Sequence, residues 1–171
     1  IYSTGHIGHG SMYFTPGNYY TLNVDTSVLT SCTISFWRKS NGTNYWLPFH
    51  GGAGYLMAVS TGNFYHSNAG SPTLYVDGEV ALTDIRDGQW HHYVASGVNL
   101  STWGALQLNN YGSGSTTWCN NHYIDDVQIF ANNLTADEVK ELYNLKGNNI
   151  IMQTGAGTMT VNGAANSAMS T

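Results

Sequence analysis

The feature that most constrains this chain is the recurrence of short runs of β-branched and aromatic residues, each closed by Gly, Asn, Ser or Pro. "MYFT", "YYTLNV", "CTISFWRK", "YWLPFH", "YLMAVS", "NFYHS", "TLYVDGEVAL", "WHHYVASG", "ALQLNN" and "YIDDVQIF" follow one another at the spacing of an antiparallel all-β protein. Within "CTISFW", Ile34 and Phe36 share one face and Thr33 and Ser35 the other, the alternation of a strand buried on one side. Val76-Asp77-Gly78-Glu79 predicts a two-residue hairpin, because both central positions favour positive φ, and "RDGQW" predicts a second turn. One segment has a different period. Thr135 and Glu138 form a capping box, Leu134 and Val139 a hydrophobic staple, and Val139, Leu142 and Tyr143 fall at i, i+3 and i+4. They predict one short amphipathic helix ending near Gly147, with candidate strands at Ile150 to Gln153 and Thr158 to Val161 beyond it.

The length, 171 residues, suits one domain with a substantial core. Charged residues make up only 9% of the chain, so neutral polar groups carry its solubility. Five Lys and Arg against ten Asp and Glu leave no basic patch for phosphates, which argues against nucleic-acid partners. No apolar run reaches the roughly 18 to 20 residues that span a bilayer, which argues against membrane insertion. The first residue, Ile1, suggests a piece of a longer protein.

Four segments, in order, carry a family resemblance: "SMYFTPGNYYTLNV", "CTISFWRKS", "DGQWHHYVASG" and "YIDDVQIFANNLTADEVKELY". Over residues 11 to 145 the chain resembles the laminin G-like, concanavalin A-like jelly-roll domains, a superfamily that includes the pentraxins. The resemblance implies a two-sheet antiparallel jelly-roll sandwich with one short C-terminal helix. On this reading residues 1–10 are an N-terminal connection, 11–146 the sandwich, and 147–171 an extension or a connection to a further module. Two departures stand out: "LYVDGEV" precedes "WHHYV" instead of following it, and "TWCNNH" replaces the family's usual glycine before the closing strand.

For catalysis, jelly-roll glycosidases need two carboxylates facing one bond. The chain has three glutamates, Glu79, Glu138 and Glu141, none of them in an E-x-D-x-x-E strand. Asp125 and Asp126 are neighbours on a strand, so regular alternation turns them to opposite faces. The family resemblance implies that one of them accepts hydrogen bonds from a neighbouring loop. No catalytic residue and no cofactor is expected. Calcium stays open, as relatives hold it with carboxylate and amide oxygens, and Asp25, Asp84, Asp87, Asn120 and Asn121 could supply such ligands. His91 and His92 alternate across a strand and cannot chelate one ion together; one is expected packed and the other in solvent. Cys32 and Cys119 are expected at opposite ends of paired strands and therefore unbridged.

Ligand recognition fits the composition best. Trp46, Tyr55, Tyr65, Trp103, Tyr111 and Trp118 lie in or beside segments rich in Gly, Asn and Ser. Aromatic faces suit the C–H side of a sugar ring, and neutral amides and hydroxyls suit its hydroxyl groups. The candidate binding residues are Tyr111, Trp118, Asn120 and Asn121 in "NNYGSGSTTWCNNH", and Tyr45 and Trp46 in "SNGTNYW". The expectation is a non-catalytic extracellular or virion-surface module, for example of a phage tail fibre, that recognises a host-surface glycan or glycoprotein. The alternative is a structural decoration or oligomerisation domain that packs against sibling chains of a fibre or capsid.

Overall fold

The computed structural model describes residues 2–3, 6, 10–15, 17–40, 42, 48–52, 54–59, 62–109, 122–145, 150–151 and 160–161. In chain order the strands are β1 (Tyr2–Ser3), β2 (Ser11–Phe14), β3 (Tyr20–Leu22), β4 (Cys32–Lys39), β5 (Phe49–Gly51), β6 (Gly54–Val59) and β7 (Phe64–Ser67). They continue with β8 (Gly70–Val76), β9 (Glu79–Val80), β10 (Trp90–Val98), β11 (Leu106–Leu108), β12 (His122–Phe130), β13 (Ile150–Ile151) and β14 (Thr160–Val161). A 3-10 turn covers Thr26–Val28, and the helix α1 spans Ala136–Asn144.

Two antiparallel sheets form the all-β sandwich. One has seven strands in the order β1-β2-β12-β4-β10-β8-β9, and the other five in the order β3-β11-β5-β6-β7. A separate pair joins β13 and β14, as the tail's apolar runs suggest. The chain passes repeatedly from one sheet to the other, so each sheet collects strands distant in sequence. "TISFW" and "IDDVQIF" are adjacent at the middle of the large sheet, with Tyr123 opposite Lys39 and Phe130 opposite Thr33. This register puts Cys32 at one end of the ladder and the start of β12 at the other. Cys32 is buried and free, while Cys119 lies outside the described residues.

Between the sheets, Ile34 and Phe36 of β4 meet Phe49, Leu56, Leu106 and Leu108 of the small sheet, all fully buried. Phe36 stacks on Tyr93 at 5.5 Å and meets the edge of Phe49 at 5.2 Å, geometries that aromatic quadrupoles favour. Trp103, expected beside a loop, is instead a core residue at 1% exposure. Its indole fills a slot left by missing side chains: a Cβ on Gly51 would come within 2.6 Å of Trp103, and one on Gly54 within 2.7 Å of its Nε1. That nitrogen donates to the Asn68 carbonyl at 2.6 Å, so the indole is buried without an orphaned donor.

The predicted hairpin closes at Asp77 and Gly78, with φ of 52° and 82°, and Val76 faces Glu79 across it. The helix starts as predicted. Glu138 N donates to Thr135 Oγ1, and Thr135 N donates to the Glu138 carboxylate at 2.8 Å. Leu134 and Val139 pack with Tyr75 and Val94, so α1 lies across the outer face of the large sheet. No helix among the described residues is long and apolar enough to cross a membrane.

Candidate functional site

The six candidate binding residues, Tyr45, Trp46, Tyr111, Trp118, Asn120 and Asn121, lie outside the described residues. Their flanking residues are described, and these lie at one end of the sandwich. Asn109 N donates to the Pro48 carbonyl at 3.0 Å and its side-chain amide to the Asn18 carbonyl at 2.6 Å. At the far side of both segments, Lys39 faces Tyr123. Segments 41–47 and 110–121, some 60 residues or more apart in sequence, therefore leave from neighbouring strand ends.

At this end the large sheet presents an aromatic row. Tyr13 of β2 faces Tyr123 of β12, Tyr123 faces Lys39 of β4, and Lys39 faces Trp90 of β10. The two tyrosine rings are 4.7 Å apart, and Trp90 stands 6.3 Å from Tyr123. All four side chains are half-buried. Sequence reasoning treated these aromatics as strand residues only, because their adjacency depends on the register of strands distant in the chain. The outward parity shared with Trp37 and Lys39 is the one sequence signal for them.

Beneath this end lies a buried ionic network. Asp84 Oδ1 accepts from Arg38 Nη1 at 2.6 Å and from the Tyr93 hydroxyl at 2.7 Å, while Oδ2 accepts from Arg86 Nε at 2.7 Å. The Asp84 side chain is fully enclosed and Arg38 is 2% exposed. Burial, reinforced by the Asp84 charge, pushes the Tyr93 phenol well above its ordinary pKa. An aspartate neutralised by two guanidinium groups is a poor calcium ligand, so Asp84 leaves the calcium set suggested by the sequence. Asp87 is also engaged, 3.0 Å from His91 Nε2, and Asp25 sits at the opposite end of the sandwich, beside Gly104. Asn120 and Asn121 lie outside the described residues.

Asp125 accepts from the backbone of His6 at 2.7 Å and from the amide of Asp126 at 2.9 Å, the loop-binding role expected of one aspartate. The second expectation, that the pair turns to opposite faces, is altered by a bulge. The register slips between Asp125 and Gln128, and Asp126 takes the extra position at φ 46°. Its carboxyl accepts from Gln128 Nε2 at 2.8 Å, and burial first, then the Asp125 charge, raises its pKa.

Of the two histidines, His92 is packed as expected, while His91 is paired instead of standing in solvent. His91 bridges two aspartates, with Nδ1 2.6 Å from Asp77 and Nε2 3.0 Å from Asp87. Burial opposes its charged form, but the bonds to Asp77 and Asp87 prevail and raise its pKa. His92 is enclosed, with Nε2 2.8 Å from Ser35 Oγ. A hydroxyl against an imidazole is the pairing that nucleophilic hydrolases use. Here both groups lie in the interior, His92 stacks near Tyr143 of α1, and the nearby Asp77 accepts from the His92 backbone, not from its ring.

Burial pushes the His92 pKa down from 6.5 to about 4. Between those values the unfolded chain binds a proton that the folded chain excludes, so stability should fall as pH drops from about 6.5 toward 4. His91, with its raised pKa, acts in the opposite sense: its contribution is complete below the unfolded value and fades as pH rises through the folded one. Urea titrations at several pH values should show the acid loss, and His92→Asn should flatten it. An unchanged slope in that variant would remove His92 from the account.

No protein-family model matches the sequence, and no curated protein does. Solved structures show a likeness to it. One is the receptor binding domain of botulinum neurotoxin C/D mosaic serotype, at 14% identity and a TM-score of 0.48, over 88% of this chain and 46% of that one. The botulinum neurotoxin type G receptor binding domain matches at 13% and 0.46, over 88% and 45%. The binding domain of botulinum neurotoxin DC, solved in complex with SialylT, matches at 11% and 0.38, over 84% and 48%. The chain thus spans about half the length of these structures.

Proposed function

We propose that this protein is a non-catalytic binding module, laminin G-like in kind, that recognises a carbohydrate on a cell surface from an extracellular or virion-surface position. The observation that carries the reading is the aromatic row Tyr13–Tyr123–Trp90, placed where segments 41–47 and 110–121 leave the sandwich. Half-exposed rings in one row across the sheet offer flat apolar surface for a sugar's C–H face, and Lys39, on the strand between Tyr123 and Trp90, offers donors to its hydroxyl oxygens. The buried Asp84 network holds the floor beneath the row in one geometry, so the loops can carry specificity without disturbing the core. In this proposal Tyr45, Trp46, Tyr111, Trp118, Asn120 and Asn121 supply the rest of the contacts. The described carboxylates fit binding better than hydrolysis: Asp84 is neutralised by arginines, Asp125 holds the His6 backbone, Glu138 caps α1 and Glu79 pairs with Lys140.

A glycan array probed with the intact protein tests the proposal, followed by titration of the best ligand. Trp118→Ala should weaken binding by about 1–3 kcal/mol, the scale of losing a stacked aromatic anchor, with the melting temperature nearly unchanged. A variant that melts several degrees earlier with affinity intact would make Trp118 a core residue. If the array stays blank, the module is a structural decoration or oligomerisation domain and the binding reading falls.

A further inference from the structure

The opposite end of the sandwich holds a second recess. The end of β3, the 3-10 turn and the residues that lead into β11 flank an open hollow of about 470 Å³, within the roughly 300–1,000 Å³ range of small-molecule sites. Leu22 and Val24 line it and pack against the core, giving it an apolar floor. Its two walls are tied together by Thr26 Oγ1, which donates to the Gly104 carbonyl at 2.8 Å. Asp25 stands in one wall with Oδ1 held by Ser27, whose amide donates at 3.0 Å and whose hydroxyl donates at 2.6 Å. Oδ2 has no partner among the described residues, and neither has the hydroxyl of Thr21 or the amide of Asn23. In the facing wall the Ser101 hydroxyl is oriented by the Asn99 side chain at 2.7 Å.

We propose that this hollow is a second carbohydrate site, taking one neutral sugar ring whose adjacent hydroxyls donate to Asp25 Oδ2 while its C–H face rests on Leu22 and Val24. The chemistry follows from what lines the recess. Hydroxyls, an amide and one carboxylate match a polyol, and the apolar floor matches the less polar side of its ring. The bonds from Ser27 hold the Asp25 pKa below its ordinary value, so the carboxylate is charged and no lining cation offsets it. Acidic sugars and phosphates are therefore repelled. Calcium takes six to eight oxygens, usually from several carboxylates, and a single fixed one is a poor start for such a shell. The site shares a ligand class with the loop-end reading but stands on different residues.

Isotope-labelled intact protein titrated with methyl mannoside and methyl galactoside, with a methyl sialoside and with calcium chloride separates the cases by amide shifts. Neutral glycosides should move Ser27, Gly104 and Ala105, and Asp25→Asn should weaken that response at least tenfold. The variant keeps the turn, since the asparagine oxygen still accepts from Ser27. Trp118→Ala should leave this response unchanged. Shifts with calcium alone, a stronger response to the sialoside, or silence at these amides with every probe would each overturn the site. Neutral glycosides that move only Tyr123 and Trp90 would sink this inference and leave the loop-end reading standing. The reverse pattern would do the opposite.

Discussion

Asp84→Ala is expected to destabilise the fold by about 3–5 kcal/mol, the scale of leaving a buried charge without its counterion. The reason is the asymmetry of the network: removing one carboxylate takes the Asp84 counterion from both Arg38, at 2% exposure, and Arg86, at 16%. The Tyr93 hydroxyl loses the shorter of its two acceptors and keeps the Ile85 carbonyl at 3.1 Å. For a chain of this length the melting temperature should fall by roughly 10 °C. Urea denaturation of the single variants and of Arg38→Met/Asp84→Ala provides the check. Because the double variant no longer holds the more deeply buried of the two guanidinium groups that Asp84 neutralises, it should lose clearly less than the sum of the singles. Simple additivity would mean that solvent already reaches the pair and that the network contributes little.

Trp103→Ala should cost a similar amount, about 3–5 kcal/mol for truncating a buried indole. The slot is walled by the backbone of Gly51 and Gly54 and by the Ser67 carbonyl, and no side chain on either glycine can swing in, so it has little means of closing over the cavity. The Asn68 carbonyl also loses its donor. Thermal unfolding of the variant measures this directly. A loss below 1 kcal/mol would show that the slot collapses, and small apolar molecules such as benzene should then fail to stabilise the variant, as they would a persistent dry cavity.

Much of the fold is local in origin and was therefore readable. The helix announces itself through Thr135, Glu138 and the Leu134–Val139 staple, all within six residues, and the hairpin through Asp77-Gly78. Alternation marks β4 as a strand, but the expected single buried side is wrong: β4 is buried on both faces, because Leu134 and Tyr143, at and within the helix, cover Thr33 and Trp37. What escaped was decided at a distance. Trp103 sits in "NLSTWGALQ", a stretch of small polar residues that looks like a loop, and only glycines some fifty positions upstream make it core. The bulge at Asp126 adds one residue to a strand without a glycine to mark it, so parity beyond Asp125 was misjudged. His91 and Asp87 are four residues apart and could have been paired on sight, yet the partner that fixes the ring, Asp77, arrives from the preceding hairpin. The aromatic row was out of reach for a related reason: Tyr13, Trp90 and Tyr123 come from three strands, and nothing short of register sets them abreast.

The position of Trp37 has a mechanical meaning. His6 lies 3.9 Å from its indole and Tyr143 5.9 Å, and the His6 amide donates to Asp125, so a load applied between residues 6 and 143 is first carried by these contacts. Once those stacks part, tension reaches the start of β2 and the end of β12, which are antiparallel neighbours. In that geometry the rungs open one after another, like a zipper, in place of sliding past one another together. The sandwich is accordingly built to be soft when drawn from these two points.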